Sequence, residues 1–458
     1  MDFPAEPFKI KVIEPISITT KEERHMIIED AHLNIFNVPS DKIYIDLLTD
    51  SGTSAMSDNQ WSGIMLGDES YAGSKSYFKF EKVIRSIFGY KHIIPTHQGR
   101  VAENLLFSSV LKPDSVVPNN IHFDTTRGNI EHNNAKAVDL VIDEGLDPHI
   151  EHPFKGNIDI IKLENLINDV GVEKIPLVLI TITNNSGGGQ PVSMENIRQA
   201  SEVCKKYGIP LIFDACRFAE NCFFIKQREK GYEDKSVLEI ARELFSYGSG
   251  CTMSAKKDAL VNIGGFLCLE DDELAQKITN LLIMIEGFPT YGGMAGRDLE
   301  AVARGLEEVL DENYLNFRIG QVRYLGEKLQ EGSVPILVPV GGHAVYVNAK
   351  EFMPHIPQSQ FPGVALTVAL YREGGIRAVE IGSLMFGSKD PDTGEPVYPE
   401  LEMVRLAIPR RVYTVSHMDY VASTLINLYK DRDSIRGLEL VYEAPSLRHF
   451  TAKLKEIS

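Results

Sequence analysis

The chain has 458 residues, 47 basic against 64 acidic, for a formal charge of −17. Its composition, 43% hydrophobic and 24% charged, is that of a globular protein with a large core, which excludes a disordered or fibrous chain. A strongly negative chain is also a poor match for nucleic acid, because phosphate backbones select a positive face.

The N-terminal stretch, MDFPAEPFKIKVIEP, mixes prolines with charges and lacks the apolar core of a signal peptide. His92–Thr96 reads as an apolar strand that runs through His97-Gln98-Gly99-Arg100 into a helix from about Val101. Ile160–Val170 places Leu163, Leu166, Ile167 and Val170 at helical spacing before Gly171. Pro176–Thr183 is a buried strand. Ser193 is an N-cap candidate for a helix whose Ile197, Ala200, Cys204 and Tyr207 share a face, and Gly208 closes it. Ile209–Phe213 is the next strand, ending in Asp214, and Val237, Ile240, Ala241 and Leu244 mark another helix. Alternating strand and helix predicts an α/β fold with a mainly parallel sheet.

Leu299–Leu310 reads as a helix, and Glu331–Pro335 breaks the chain beyond it. Strands are predicted at Pro335–Val338 and Ala344–Val347, a helix at Tyr420–Lys430 and a turn-rich loop at Gly387–Pro399. The expected organisation is a large domain over 56–310 and a smaller α/β domain built from 1–55 and 311–458. Apolar runs such as Pro176–Ile180 and Leu281–Ile285 are too short to span a bilayer, so no membrane partner is expected. The five cysteines form no C-x-x-C pair, which argues against a disulfide framework or zinc site and for a cytoplasmic location.

Phosphate-loop, zinc-peptidase, nucleophile-elbow and dinucleotide motifs are all absent. Four clusters remain. Gln98-Gly99-Arg100 at a strand-to-helix turn offers free N–H groups and a cation to an anion, or is an ordinary turn. Asp214 stands where α/β folds bind ligands and could pair with a protonated ring nitrogen, or cap a helix. Ser254-Ala255-Lys256-Lys257 sets paired lysines between apolar stretches, where a lysine sheds its proton readily, or forms a solvated turn. Asn185-Ser186-Gly187-Gly188-Gly189 permits close approach by a ligand, or is a flexible connection. Taken together in chain order, anion cradle, strand-end aspartate and lysine are what a pyridoxal phosphate site requires.

Longer strings carry a resemblance along nearly the whole chain: YIDLLTDSGT (Tyr44–Thr53), AMSD (Ala55–Asp58), Tyr71-Ala72-Gly73, THQGR (Thr96–Arg100), GGQPVSM (Gly188–Met194), RYLG (Arg323–Gly326), GGHAV (Gly341–Val345) and PRRVYT (Pro409–Thr414). The sequence resembles the tryptophanase and tyrosine phenol-lyase family of β-eliminating lyases. The resemblance implies pyridoxal phosphate fold type I, the aspartate-aminotransferase-like fold.

It further implies Lys257 as the Schiff-base lysine and the base at Cα. Gln98, Gly99, Arg100, Ser254 and Lys256 become phosphate-side contacts, and Phe123 the aromatic stacked on the cofactor ring. Asp214 becomes the pyridinium partner, with Arg217 and Asn185 at the ring oxygen. Arg405 is implied as the clamp on the substrate carboxylate, with Thr49 and Ser51 nearby. Tyr71, from a neighbouring subunit, is implied in proton transfer to the leaving ring. Glu69 with the carbonyls of Gly52 and Asn262 is implied as a potassium site. The assembly implied is a homotetramer, a dimer of dimers with shared active sites.

Three positions bear on the substrate. Asp124 and His449 match the tryptophan-cleaving members, and Ile381 stands where the phenol-cleaving members carry an arginine. The expectation is hydrolytic cleavage of L-tryptophan to indole, pyruvate and ammonia. Cleavage of L-tyrosine to phenol is the alternative, and transamination the rival class on this fold. The chain departs from the family pattern at Ser54, Val101 and Arg127–Asn134, without loss of a catalytic group.

Overall fold

A computed structural model describes residues 5–390, 393–445 and 447–457. The first four residues of the N-terminal stretch, and Pro391 and Asp392 of the predicted Gly387–Pro399 loop, lie outside them. The chain divides into two compact units. One comprises 51–145 and 152–316. The other comprises the described residues through Asp50, the short segment 146–151 and the chain from Phe317 onward.

The first unit is built on five strands: β1 (His92–Thr96), β4 (Val178–Thr181), β5 (Leu211–Asp214), β6 (Gly250–Ser254) and β7 (Gly265–Leu269). Two more, β2 (Val116–Asn119) and β3 (Lys136–Asp139), pair in parallel with each other. The five-stranded order is β1-β7-β6-β5-β4. β4, β5 and β6 are mutually parallel, while β7 runs antiparallel to both β1 and β6. The sheet is therefore mixed, with β7 the one reversed strand in it. β4 and β6 are buried along their whole length, as expected of a sheet covered on both faces.

The intervening helices follow local chemistry. Asp159 caps Ile160–Val170, accepting from the N–H groups of Ile161 and Lys162 at 3.0 Å. Ser193 caps Met194–Tyr207, and Gly208 ends it at φ +68°. Ser236 and Glu239 form a reciprocal capping box on Val237–Ser246. The helix predicted over Leu299–Leu310 is observed as Gly296–Glu308.

The second unit centres on a three-stranded antiparallel sheet of β8 (Ala344–Asn348), β9 (Val379–Ile381) and β10 (Met403–Ala407), ordered β9-β10-β8. Pro335–Val338, expected as a strand, forms only a bridge between Ile336 and Val347. Pro335 and Pro339 lack the N–H groups that a ladder needs at its ends. The predicted Tyr420–Lys430 helix begins a turn earlier, at Val415.

Candidate active site

Helix α1 (Gly99–Val110) starts three residues after β1, with Gln98 at the N-cap and no side chain closing it. The chain leaving β1 crosses over the start of β7 and meets the end of β6. A Cβ on Gly99 would lie 2.5 Å from the Cβ of Ser254, and one on Gly265 would lie 2.7 Å from the Gly99 nitrogen. Both glycines are needed for this close approach. The Ser254 hydroxyl is buried and has no hydrogen-bond partner. Lys256 reaches the Gln98 Oε1 at 3.4 Å. Burial and the positive charges of Lys257 and Arg100 push its ammonium down to about 8. Helix start, unused hydroxyl and crowded cations together suit a phosphate monoester.

Asp214 ends β5, and its Oδ1 accepts from the Cys216 N–H at 3.3 Å. The next helix, Phe218–Arg228, has Arg217 at its N-cap rather than Asp214. Asp214 therefore does not cap that helix. Arg217 is buried, as is Asn185 in the loop after β4. Phe123 is the N-cap residue of α2 (Asp124–His132), and Asp124, also buried, opens that helix with its Oδ1 2.6 Å from the Thr125 nitrogen. Behind Phe123, His122 Nδ1 lies 2.6 Å from Asp139, which also pairs with Arg127 at 2.6 Å. The arginine of the divergent Arg127–Asn134 stretch therefore braces the segment that carries Phe123.

One residue of this cluster was not singled out from the sequence. Glu103 lies one turn into α1, is 8% exposed, and accepts from the Thr126 hydroxyl at 2.5 Å. Burial and the charge of Asp214 raise its carboxyl to about 8, against the opposing pull of Lys257. Its spacing of four from Gly99 puts it on the cradle's face of the helix, a signal present in the sequence.

A model of the β-eliminating lyase family matches residues 46–424. The chain belongs to that family. It is 58% identical to a tryptophanase of Salinibacter ruber, over 99% of this chain and 96% of that one. It is 54% identical to a tyrosine phenol-lyase of Symbiobacterium sp. strain SC-1, and 53% identical to a tryptophanase of Hyphomonas neptunium, over 99% of each chain in both cases. Among solved structures, a SepCysS–SepCysE N-terminal domain complex matches with a TM-score of 0.57 at 12% identity, over 86% of this chain and 96% of that one. A serine palmitoyltransferase of S. paucimobilis with bound PLP also matches at 0.57, with 13% identity over 85% and 88%. The lyase thus has pyridoxal phosphate fold type I, an α/β fold with a mixed central sheet.

In the lyase's second unit, Arg405 sits in the middle of β10, opposite Val379 and Tyr346. It is 5% exposed and donates to the Leu48 carbonyl at 3.1 Å, next to Thr49 in the chain. Ile381 faces Met403 across the ladder. Alternation along β9 and β10 puts Ile381 and Arg405 on one face of the sheet. His449 is buried and packs edge-on against Phe36 at 5.8 Å. A buried cluster missed in the sequence anchors the same region: Asp50 pairs with Arg410 at 2.8 Å and lies 3.9 Å from Arg318. Asp50 lies between Thr49 and Ser51, so this cluster holds the segment in which both occur.

The remaining positions lie in the first unit. The Asn262 amide donates to the Gly52 carbonyl at 2.9 Å, so those two residues meet. Glu69 accepts from the N–H groups of Gly296 and Arg297, at the start of the Gly296–Glu308 helix. Tyr71 is 70% exposed, its ring 5.3 Å from that of Tyr291. Among the described residues no group of three or more His, Cys, Asp or Glu is arranged to hold a metal, and no helix is long and apolar enough to cross a membrane.

Proposed function

We propose that this lyase uses pyridoxal 5'-phosphate to cleave L-tryptophan with water into indole, pyruvate and ammonia. The cradle of Gln98, Gly99, Arg100, Ser254 and Lys256 would hold the phosphate. The bound cofactor supplies an electron sink for the negative charge that develops at Cα. Lys257 carries the cofactor and takes the Cα proton on its Nζ. Asp214 keeps a proton on the ring nitrogen, Arg217 and Asn185 donate to the ring oxygen, and Phe123 covers the ring face. Arg405 clamps the substrate carboxylate with its guanidinium fork, and Thr49 and Ser51 flank it.

Indole leaves poorly as an anion, so its C3 must gain a proton before the bond to Cβ breaks. Tyr71 of a neighbouring copy supplies that proton, while Asp124 and His449 orient the ring through its N–H. The observation that most supports tryptophan is Ile381: it is 3% exposed in an apolar cluster with Tyr346, Val379 and Met403, on the Arg405 face. A phenolic oxygen brought to that side chain would meet no guanidinium, while indole has no such oxygen to satisfy. Cleavage of L-tyrosine is the second reading, supported by relatives of similar identity named tyrosine phenol-lyase.

Potassium held by Glu69 with the Gly52 and Asn262 carbonyls would order the site. The assembly proposed is a homotetramer with shared sites, supported by exposed Trp61, Met65, Leu66 and Tyr71. A cytoplasmic location is supported by five free thiols, four of them buried. The test supplies L-tryptophan and L-tyrosine separately to protein with pyridoxal phosphate and potassium. Indole with equimolar pyruvate is expected, and phenol as the main product would overturn the substrate. Lys257→Ala is expected to abolish both turnover and the visible cofactor band. An unchanged spectrum would remove Lys257 from its role.

A further inference from the structure

We propose that Glu380, Glu402 and Arg448 form a positioning frame that sets the two side chains, Ile381 and His449, that meet the substrate's aromatic ring. The inference rests on the reading of those two positions given above and deepens it. Glu380 stands opposite Val404 in the β9–β10 ladder, and Glu402 lies two residues before Val404. Both carboxylates therefore occupy the face of the sheet opposite Ile381 and Arg405. They are buried, at 5% and 1% exposure. They also converge: a Cβ on Gly363 would lie 2.7 Å from the Glu380 Cγ and 3.1 Å from the Glu402 Oε1.

Both carboxylates turn onto one short helical turn, Ser383–Phe386. Glu402 accepts from the Ser383 N–H at 3.0 Å and from the Ser383 hydroxyl. Glu380 accepts from the N–H groups of Leu384 at 2.8 Å and Met385 at 3.1 Å. Arg448 grips the same turn by its carbonyls. Its Nε donates to Leu384 at 2.8 Å, and its Nη2 to Ser383 at 2.8 Å and Gly387 at 3.2 Å. Its Nη1 pairs with Glu443 at 2.6 Å. One turn is thus held at its N–H groups by two acids and at its carbonyls by a guanidinium. Ile381 ends the strand leading into it, and His449 directly follows Arg448.

Two carboxyls buried side by side are an expensive way to hold a turn that apolar packing could hold. Burial raises both carboxyls, and the Glu402 charge raises that of Glu380 further. What the arrangement supplies is direction: each group has a fixed donor or acceptor. The positions of Ile381 and His449 are then set by hydrogen bonds rather than by the fit of the surrounding core.

The test compares Glu380→Gln, Glu402→Gln and Arg448→Lys with the parent as pyridoxal phosphate holoenzymes. Two substrates are used: L-tryptophan, and β-chloro-L-alanine, which has a good β leaving group and no ring. The frame predicts a loss of about tenfold in kcat/KM for tryptophan, carried mainly by KM. It predicts a change within about twofold for β-chloro-L-alanine and an unaltered cofactor spectrum. Parallel losses on both substrates, or no loss on either, would overturn it. If Arg448→Lys does not fold, Glu443→Gln removes only the outer support of Arg448 and should show the same selectivity at smaller size; equal effects on both substrates there would overturn the frame. A parent enzyme that processes β-chloro-L-alanine but neither L-tryptophan nor L-tyrosine would instead overturn the reading of the reaction.

Discussion

Lys256 has a titration that the cradle makes visible. Its ammonium is pushed down to about 8 by its own burial and by the charges of Lys257 and Arg100. A bound dianion restores that proton. Phosphate affinity should therefore be full below that pH and fall as pH rises through it. Titrating cofactor-free protein with inorganic phosphate between about pH 7.5 and 9.5 checks this. Lys256→Met should bind more weakly and without that slope.

Glu103 is shifted in the opposite direction. Its carboxyl is raised to about 8, so the folded protein keeps a proton that the unfolded chain gives up near the ordinary carboxylate value. That proton's contribution to stability is intact in acid and is lost as pH rises toward 8. Thermal unfolding of Glu103→Gln should match the parent near pH 4.5 and exceed it increasingly towards pH 8, within the pH window set by those two values. Glu103→Ala instead leaves the Thr126 hydroxyl unpartnered beside a cavity and should cost about 2–4 kcal/mol.

At the scale of elements, the middle of the chain was legible because its signals are local. Ile160–Val170 and Met194–Tyr207 carry their caps, periodicity and stops within their own residues. The candidate cofactor positions Gln98, Asp214 and Lys257 stand at or just past the ends of strands that are buried along most of their length, so strand ends mark them. What was not legible depends on distant partners. The reversal of β7 leaves no trace in its composition. Glu380 and Glu402 look like ordinary strand residues until the ladder brings them together. The Asp50–Arg410–Arg318 cluster joins residues 360 apart in sequence. That cluster is fully buried, so Asp50→Asn removes the carboxylate that faces two guanidinium groups. It should cost about 3–5 kcal/mol in denaturant unfolding, with the loss of substrate affinity exceeding that of cofactor affinity.

At the scale of the whole molecule, the lyase exposes large apolar side chains on more than one helix. Trp61, Met65 and Leu66 lie on Asp58–Leu66, and Met284 and Ile285 end Asp272–Ile285. A monomer rarely leaves so many such residues in water. Light scattering should report a tetramer, and Met65→Glu with Leu66→Glu should shift it to smaller species with reduced turnover. A fully active monomer would contradict the shared-site assembly.

The reversed strand has one more effect. Gly265 pairs with Thr96 on one side and Ser254 on the other, so the ends of β1 and β6 are separated by one strand's width. Neighbouring strands lie about 4.8 Å apart, so the backbone itself sets a gauge of nearly 10 Å between them. Side-chain substitution cannot change that gauge, and a one-residue slip in β7 would turn every neighbour to the wrong face. The Gly99–Ser254 crossing is thus dimensioned by the ladder, while Ile381 and His449, two of the three positions read as bearing on the leaving group, stand in the other unit. Selectivity for that group can drift without resizing the cradle.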